Sequence, residues 1–240
     1  FDVKFQAENN EWEYVWATSW GVSTRLIGAL IMTHGDDDGI VIPPKLAAYQ
    51  VLAMPIMRKN DDNSAVLSAI EALIKDIKAL GVTVKIDDRQ NVSPGFKFAE
   101  ADLVGYPVRI ELGPRDLENK QVVVTKRHNH EKVVLPLDKA AAELPRILET
   151  IQRELFDRAQ ARITENTKEL NSYDEFKDYM AADEGFALVH WAGDMEDEKR
   201  VQEETKATHR VIPIEGAKEK GKCMLTGKES GQRVIFAKAY

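Results

Sequence analysis

Tyr49-Gln50-Val51-Leu52-Ala53-Met54-Pro55-Ile56-Met57 is an apolar run of the length expected for a buried strand. Pro55 marks a bulge or the strand end, because proline cannot donate to a ladder. Asn63 and Ser64 then offer a helix N-cap. After them Val66, Leu67, Ile70, Leu73, Ile74, Ile77 and Leu80 trace one helical face, which Gly81 terminates. Val82-Thr83-Val84-Lys85-Ile86 alternates as a second strand, so residues 52–86 form a βαβ unit with a parallel pair. A polar loop, a short helix and a turn fill residues 87–107. Val108 to Leu112, Gln121 to Lys126 and Lys132 to Leu135 supply further strands. A long helix follows, with Leu144, Ile147, Leu148, Ile151, Leu155, Ala159 and Ile163 on one face and Pro145 in its first turn or at a kink. The pattern is α/β, a mixed sheet with helices packed on it.

Before this core, Tyr14-Val15-Trp16-Ala17-Thr18 reads as a strand. A small-residue turn leads from it into a helix with Leu26, Leu30 and Ile31 on one side. Arg25 opens that helix. Its planar, permanently charged fork suits a phosphate or a carboxylate, and a structural ion pair accounts for a lone arginine equally simply. Gly35 to Gly39 is a turn-rich loop closed by Pro43-Pro44. Asp36-Asp37-Asp38 does not alternate as calcium ligands do, so it reads as a solvated turn. At the other end, a Tyr173–Ala182 helix, a strand from Gly185 to Trp191, a charged helix from Asp194 to Lys206, and strands His209–Ile214 and Arg233–Ala237 make a small α+β unit.

The chain of 240 residues is 43% hydrophobic and 30% charged, an ordinary globular composition. No apolar run approaches the ~20 residues of a membrane helix, and Phe1-Asp2-Val3-Lys4 is no signal peptide. One cysteine, Cys223, excludes an intramolecular disulfide and fits a reducing cytoplasm. The net charge of −7 argues against indiscriminate nucleic-acid binding. It is uneven: residues 1–41 carry −5, whereas residues 81–132 carry +1 and also His128 and His130.

Residues 87–115 interleave Arg89, Lys97, Glu100, Asp102, Arg109 and Arg115 with Phe96, Phe98 and Tyr106. Unstacked RNA bases are read by aromatic stacking and by forked hydrogen bonds to their edges. On residue types alone, an amphipathic helix with core phenylalanines and solvated charges accounts for the pattern better. His128-Asn129-His130 reads as a solvated hairpin turn within reach of a nucleic-acid phosphate. Cys223, His190 and His209 lack the close ligand spacing of structural zinc. No phosphate loop, nucleophile elbow or His-Glu-x-x-His helix is present.

Two longer strings carry a resemblance. Thr18-Ser19-Trp20-Gly21-Val22-Ser23-Thr24-Arg25-Leu26-Ile27-Gly28-Ala29, continued by residues 32–44, resembles motif 3 of class II prolyl-tRNA synthetases. Asp87-Asp88-Arg89, Pro94-Gly95, Lys97-Phe98, Glu100-Ala101-Asp102 and Arg109 to Leu117 resemble that family's class IIa anticodon-binding domain. The resemblance implies that Arg25 contacts ATP with Ser23 beside it, and that Trp20 and Gly21 help line the proline pocket. It implies Asp102, Arg109 and Arg115 as readers of the two guanines shared by proline anticodons, with Lys97 in support. Family members commonly carry Glu at position 102, and some carry Lys at 115. The tail, Gly221-Lys222-Cys223-Met224-Leu225-Thr226-Gly227-Lys228 and Phe236 to Tyr240, resembles the extra C-terminal domain of the archaeal and eukaryote type. Some such domains bind zinc through four cysteines. Here only Cys223 remains, and Trp191-Ala192-Gly193 stands where a cysteine-containing turn would be, so no zinc and no other metal site is expected. The family also makes the terminal Tyr240 a candidate for folding back toward the catalytic site.

The resemblance implies three segments: residues 1–44 as the end of the catalytic domain, 45–150 as the anticodon-binding domain, and 151–240 as a C-terminal domain without its zinc ligands. The intact enzyme would use ATP and Mg²⁺ to make prolyl-adenylate and transfer proline to its tRNA, as a cytoplasmic homodimer with no membrane association. Motifs 1 and 2 precede motif 3 in this family, and Arg109-Ile110-Glu111 imitates motif 2 only in part and in the wrong order. The chain alone is therefore expected to be inactive. The alternatives are a non-catalytic tRNA-binding protein built on the anticodon-binding domain, and a small α/β ligand-binding domain with no RNA role.

Overall fold

The computed structural model describes residues 2–58, 61–182, 185–216 and 218–238. Tyr240 lies outside them. The chain divides into two compact units, residues 1–149 and 150–240.

In the first unit a hairpin of β1 (Lys4–Gln6) and β2 (Trp12–Tyr14) precedes α1 (Arg25–His34). The expected strand over 14–18 stops at Tyr14. Residues 15–18 have the side chains of a strand, but among the described residues no second strand pairs with them. Then come β3 (Val51–Pro55), α2 (Ser64–Ala79), β4 (Val84–Ile86), α3 (Pro94–Val104), β5 (Val108–Leu112), α4 (Pro114–Glu118), β6 (Gln121–Lys126), β7 (Lys132–Pro136) and α5 (Leu137–Glu165), whose residues from Thr150 on belong to the second unit. The five strands are ordered β4-β3-β5-β6-β7. β3 runs parallel to β4 and β5, and the rest are antiparallel. Every residue of β3 is buried, as a strand covered on both faces requires. Val66, Ile70, Leu73 and Ile77 of α2 are the buried positions of its apolar stripe.

Three local features fix α3 over this sheet. Ser93 caps it, its Oγ accepting from the Phe96 N–H at 3.3 Å, and Pro94 occupies the first turn. Gly105 ends it in the left-handed region at φ +82°, where a Cβ would stand 2.3 Å from the Ile40 carbonyl oxygen. The Ile40 N–H donates to the Leu103 carbonyl at 3.2 Å, so residues 39–40 are stitched to the end of α3. The Asp36 turn is not merely solvated, because its carboxylate is claimed by Arg127. α5 begins about two turns earlier than its apolar face suggested. Pro145 therefore lies inside it, with no N–H to offer the Ala141 carbonyl.

The second unit adds β8 (Thr167–Glu169), α6 (Tyr173–Ala181), β9 (Phe186–His190), α7 (Met195–Thr205), β10 (Ala207–Val211), the short pair β11 (Gly221–Lys222) and β12 (Glu229–Ser230), and β13 (Arg233–Lys238). Its four-stranded sheet is ordered β10-β13-β9-β8, with only β8–β9 parallel. Leu170, Phe176, Met180, Val189, Val201 and Phe236 fill its core. A capping box starts α6: Ser172 Oγ accepts from the Glu175 N–H, and Glu175 accepts from the Ser172 N–H. β10 ends at Val211, short of the expected Ile214, and its pairing with β13 shifts register between His209 and Val211.

Candidate nucleic-acid interface

Positions 109 and 111 alternate along β5, so their side chains share one face of the strand. Arg109 is 6% exposed. Its Nε donates to Glu111 Oε1 at 2.9 Å, and its Nη1 donates to Asp102 Oδ1 at 3.0 Å. The guanidinium lies 4.5 Å from the centre of the Phe98 ring, a cation–π contact from α3. Glu111 Oε1 also accepts from the Thr125 hydroxyl of β6 at 3.0 Å. Asp102 and Phe98 reach Arg109 together because they stand four residues apart on α3. Asp102 keeps part of its carboxylate at the surface while Arg109 is held from behind. A fork of N–H donors beside a carboxylate acceptor matches the edges of guanine, whose O6 and N7 accept and whose amino group donates. Glu111 is not among the site residues that the resemblance implies, although Arg-x-Glu on a strand is itself a signal for a same-face pair.

Lys97 and Arg115 are placed differently. Lys97 is 4% exposed; its Nζ donates to the Asp87 carbonyl at 3.0 Å and lies 3.4 Å from the Asp87 carboxylate. Arg115 lies on the surface of α4, one turn beyond the end of β5. The structure thus joins Asp102 to Arg109, sets Lys97 in a separate ion cluster, and leaves Arg115 exposed.

That cluster borders an open cavity of about 290 Å³ lined by Lys85, Asp87, Arg89, Lys97, Glu100 and Tyr106. Arg89 donates to Asp87 through Nε at 2.9 Å and Nη2 at 2.7 Å, and it also bonds Glu100. Hydrogen bonding from Arg89 holds the Asp87 carboxyl at a pKa of about 2, below its ordinary 3.8. The folded value lies below the unfolded one, so this stabilisation is complete above about pH 5 and disappears as the pH falls toward 2. Water screens the exposed half of Arg89 and reduces what the pair contributes. Asp87→Asn is expected to flatten the acid limb of the stability curve measured by urea unfolding from pH 6 to pH 2. An unchanged limb would show that Asp87 contributes nothing there.

At the other end of the first unit, Arg25 is the first residue of α1 and its side chain is exposed. Ser23 Oγ accepts from the Arg25 N–H at 3.4 Å. Trp20 is 96% exposed, and nothing lies within 4 Å of where a Gly21 Cβ would stand. Trp12, Tyr14, Trp16, Val22, Leu26 and Ile27 add to a broad exposed apolar surface over this segment.

The single group of metal-ligand types among the described residues is Asp36, Asp38 and His130. It does not fit a cation, because both Asp36 oxygens already accept from Arg127. In the second unit His190 contacts Ser230 and Glu219, and His209 pairs with Glu198. Cys223 is buried. Burial opposes ionisation of its thiol, but donors from Thr226, Ala192 and Leu225 outweigh this and hold its pKa below the ordinary value. His128, expected in a solvated turn, is buried, while Asn129 and His130 form the exposed tip between β6 and β7.

Residues 50–147 match the family described as anticodon binding domain, and residues 173–240 match the one described as prolyl-tRNA synthetase, C-terminal. Among curated relatives, a proline–tRNA ligase of Roseiflexus castenholzii is 46% identical over 243 residues, covering 100% of this chain and 50% of the relative. One from Bacteroides fragilis is 47% identical, covering 100% and 49%, and one from Salinibacter ruber is 48% identical with the same coverage. Among solved structures, prolyl-tRNA synthetase from Cryptosporidium parvum, complexed with L-proline and AMP, superposes with a TM-score of 0.89 at 33% identity. That match covers 99% of this chain and 50% of that one. The chain spans about half the length of the curated relatives it matches.

Proposed function

From a chain that carries an anticodon-binding domain followed by a prolyl-tRNA synthetase C-terminal domain, we propose the anticodon-reading half of a proline–tRNA ligase. The intact protein would activate proline with ATP and pass it to the 3′ end of its tRNA. The observation that carries this reading is the Asp102–Arg109 pair, a buried guanidinium presented beside a partly exposed carboxylate. Arg109 offers donors to guanine O6 and N7, and Asp102 accepts from guanine N–H groups. Phe98 beneath and Glu111 behind hold the fork in place. Lys97 acts through Asp87, and the exposed Arg115 approaches the RNA from α4.

Residues 1–44 are the end of the catalytic domain, 45–150 the anticodon-binding domain, and 151–240 the C-terminal domain. The relatives align through residues 1–44 as well, which supports a ligase over a free-standing RNA-binding module. Arg25, at the positive N-terminus of α1 with Ser23 beside it, suits an anionic nucleotide, and Trp20 and Gly21 flank the proline pocket. ATP supplies the phosphoanhydride that activates the proline carboxylate. The one group of metal-ligand types among the described residues, Asp36, Asp38 and His130, does not fit Mg²⁺, and no step is assigned to the ion. The broad apolar surface of residues 12–27 supports a covering catalytic sheet. The archaeal and eukaryote type is proposed on the C-terminal domain alone, since the bacterial relatives are more similar to this chain than the Cryptosporidium enzyme is. By the same reading the intact enzyme is a cytoplasmic homodimer; no described helix is long and apolar enough to cross a membrane.

The test compares binding of a proline tRNA with the same tRNA after both anticodon guanines are replaced, at one stated salt concentration. A clear preference for the native anticodon is expected. Equal binding would reduce the contact to the phosphate backbone and remove the base-reading role.

A further inference from the structure

Arg127, just past the end of β6, is 2% exposed. Its Nη1 and Nη2 donate to the two Asp36 oxygens at 2.7 and 2.5 Å. Its Nε turns the other way and donates to the Asp102 carbonyl oxygen at 2.8 Å, while its own N–H donates to the Pro107 carbonyl at 3.0 Å. One planar guanidinium therefore holds both the turn that follows α1 and the residue whose side chain pairs with Arg109.

The two segments it joins are already in close backbone contact. Asp36 and Gly39 exchange N–H···O bonds at 3.1 and 3.2 Å, and Asp36 Oδ1 also accepts from the Asp38 N–H. A Cβ on Gly39 would lie 2.5 Å from the Leu103 Cα, so this turn sits directly on the end of α3. Arg127 bonding keeps the Asp36 carboxyl ionised at a pKa of about 2. A position set by such contacts decides where the Asp102 carboxylate stands, and an error of about 1 Å there is enough to spoil a forked base contact.

We propose that Arg127 is a positioning residue for anticodon selection: anchored on Asp36, it sets the Asp102 carboxylate for its work with Arg109 and ties that pair to α1. The inference rests on the base-reading function proposed above. It assigns a role to a residue that touches no base, and it links the helix that begins at Arg25 to the anticodon-reading pair through a single side chain.

The experiment uses the whole chain and the two tRNAs already described. Arg127→Lys keeps the charge but cannot hold both Asp36 oxygens and the Asp102 carbonyl at once. It is expected to reduce the preference for the native anticodon by about tenfold, with the circular dichroism spectrum unchanged. Asp36→Asn, which keeps the shape and removes the charge, should shift the preference in the same direction by less. Val66→Ala, in the α2 core away from these contacts, controls for lost stability: it lowers the unfolding midpoint and leaves the preference unchanged. A wild-type preference that persists undiminished in both Arg127→Lys and Asp36→Asn overturns the inference. If the wild-type chain binds tRNA with no preference at all, the base-reading function itself fails, and the positioning role with it.

Discussion

Arg109→Ala is expected to weaken binding of a proline tRNA by about 1–3 kcal/mol, about five- to 150-fold, while leaving unrelated tRNAs nearly unchanged. The size follows from what the guanidinium does. Each bidentate contact to a base edge is worth that much discrimination, and Arg109, the base reader proposed above, is held in place by Asp102, Glu111 and Phe98. Removing it also leaves two carboxylates, 23% and 12% exposed, without their shared cation. The chain should then lose up to about 3 kcal/mol of stability as well. Binding is therefore measured well below the unfolding temperature of the variant. An equal loss of affinity for every tRNA would mean that Arg109 touches phosphate and reads no base. Arg109→Lys should rescue stability better than selectivity, since a point charge can satisfy the carboxylates but cannot reproduce the fork.

Phe236→Ala should cost the second unit about 3–5 kcal/mol, a large share of what a domain of this size possesses. Phe236 is fully buried near the end of β13. Its ring meets Phe176 edge-on at 5.5 Å, Trp191 at 5.1 Å and His209 at 6.0 Å between centroids. Those rings come from α6, the residue after β9, and β10, so the void would open where three elements meet. Urea unfolding followed by tryptophan fluorescence reports it directly through Trp191. A loss under about 1 kcal/mol would show that the neighbouring side chains close the space.

Periodicity carries what is local. The βαβ unit was legible because Val66, Ile70, Leu73 and Ile77 repeat at helical spacing between two apolar runs, and that stripe is the buried one. Pairing across long separations leaves no such trace. Arg127 and Asp36 are 91 positions apart, and nothing near either residue announces the other. The three side-chain contacts of Arg127 therefore leave no mark in the sequence, which presents Asp36 as one of three solvated carboxylates. The strand expected at Tyr14 to Thr18 failed on the opposite ground: the side chains fit a strand, but a strand also needs a neighbour. β8 escaped notice because Thr167, Lys168 and Glu169 are polar and leave no apolar alternation. Asp102 and Arg109 are expected as base readers only through family resemblance, whereas their residue types alone favour a solvated helix face. The structure places them 3.0 Å apart.

The register shift between His209 and Val211 lies on β10, an outer strand of the second sheet. An outer strand presents a row of backbone donors and acceptors that any extended chain could extend into a longer sheet. The extra residue there breaks the straight row and twists the rim, while on the opposite rim β8 is only three residues long. Both margins of that sheet thus carry features that discourage edge-to-edge pairing with a second extended chain.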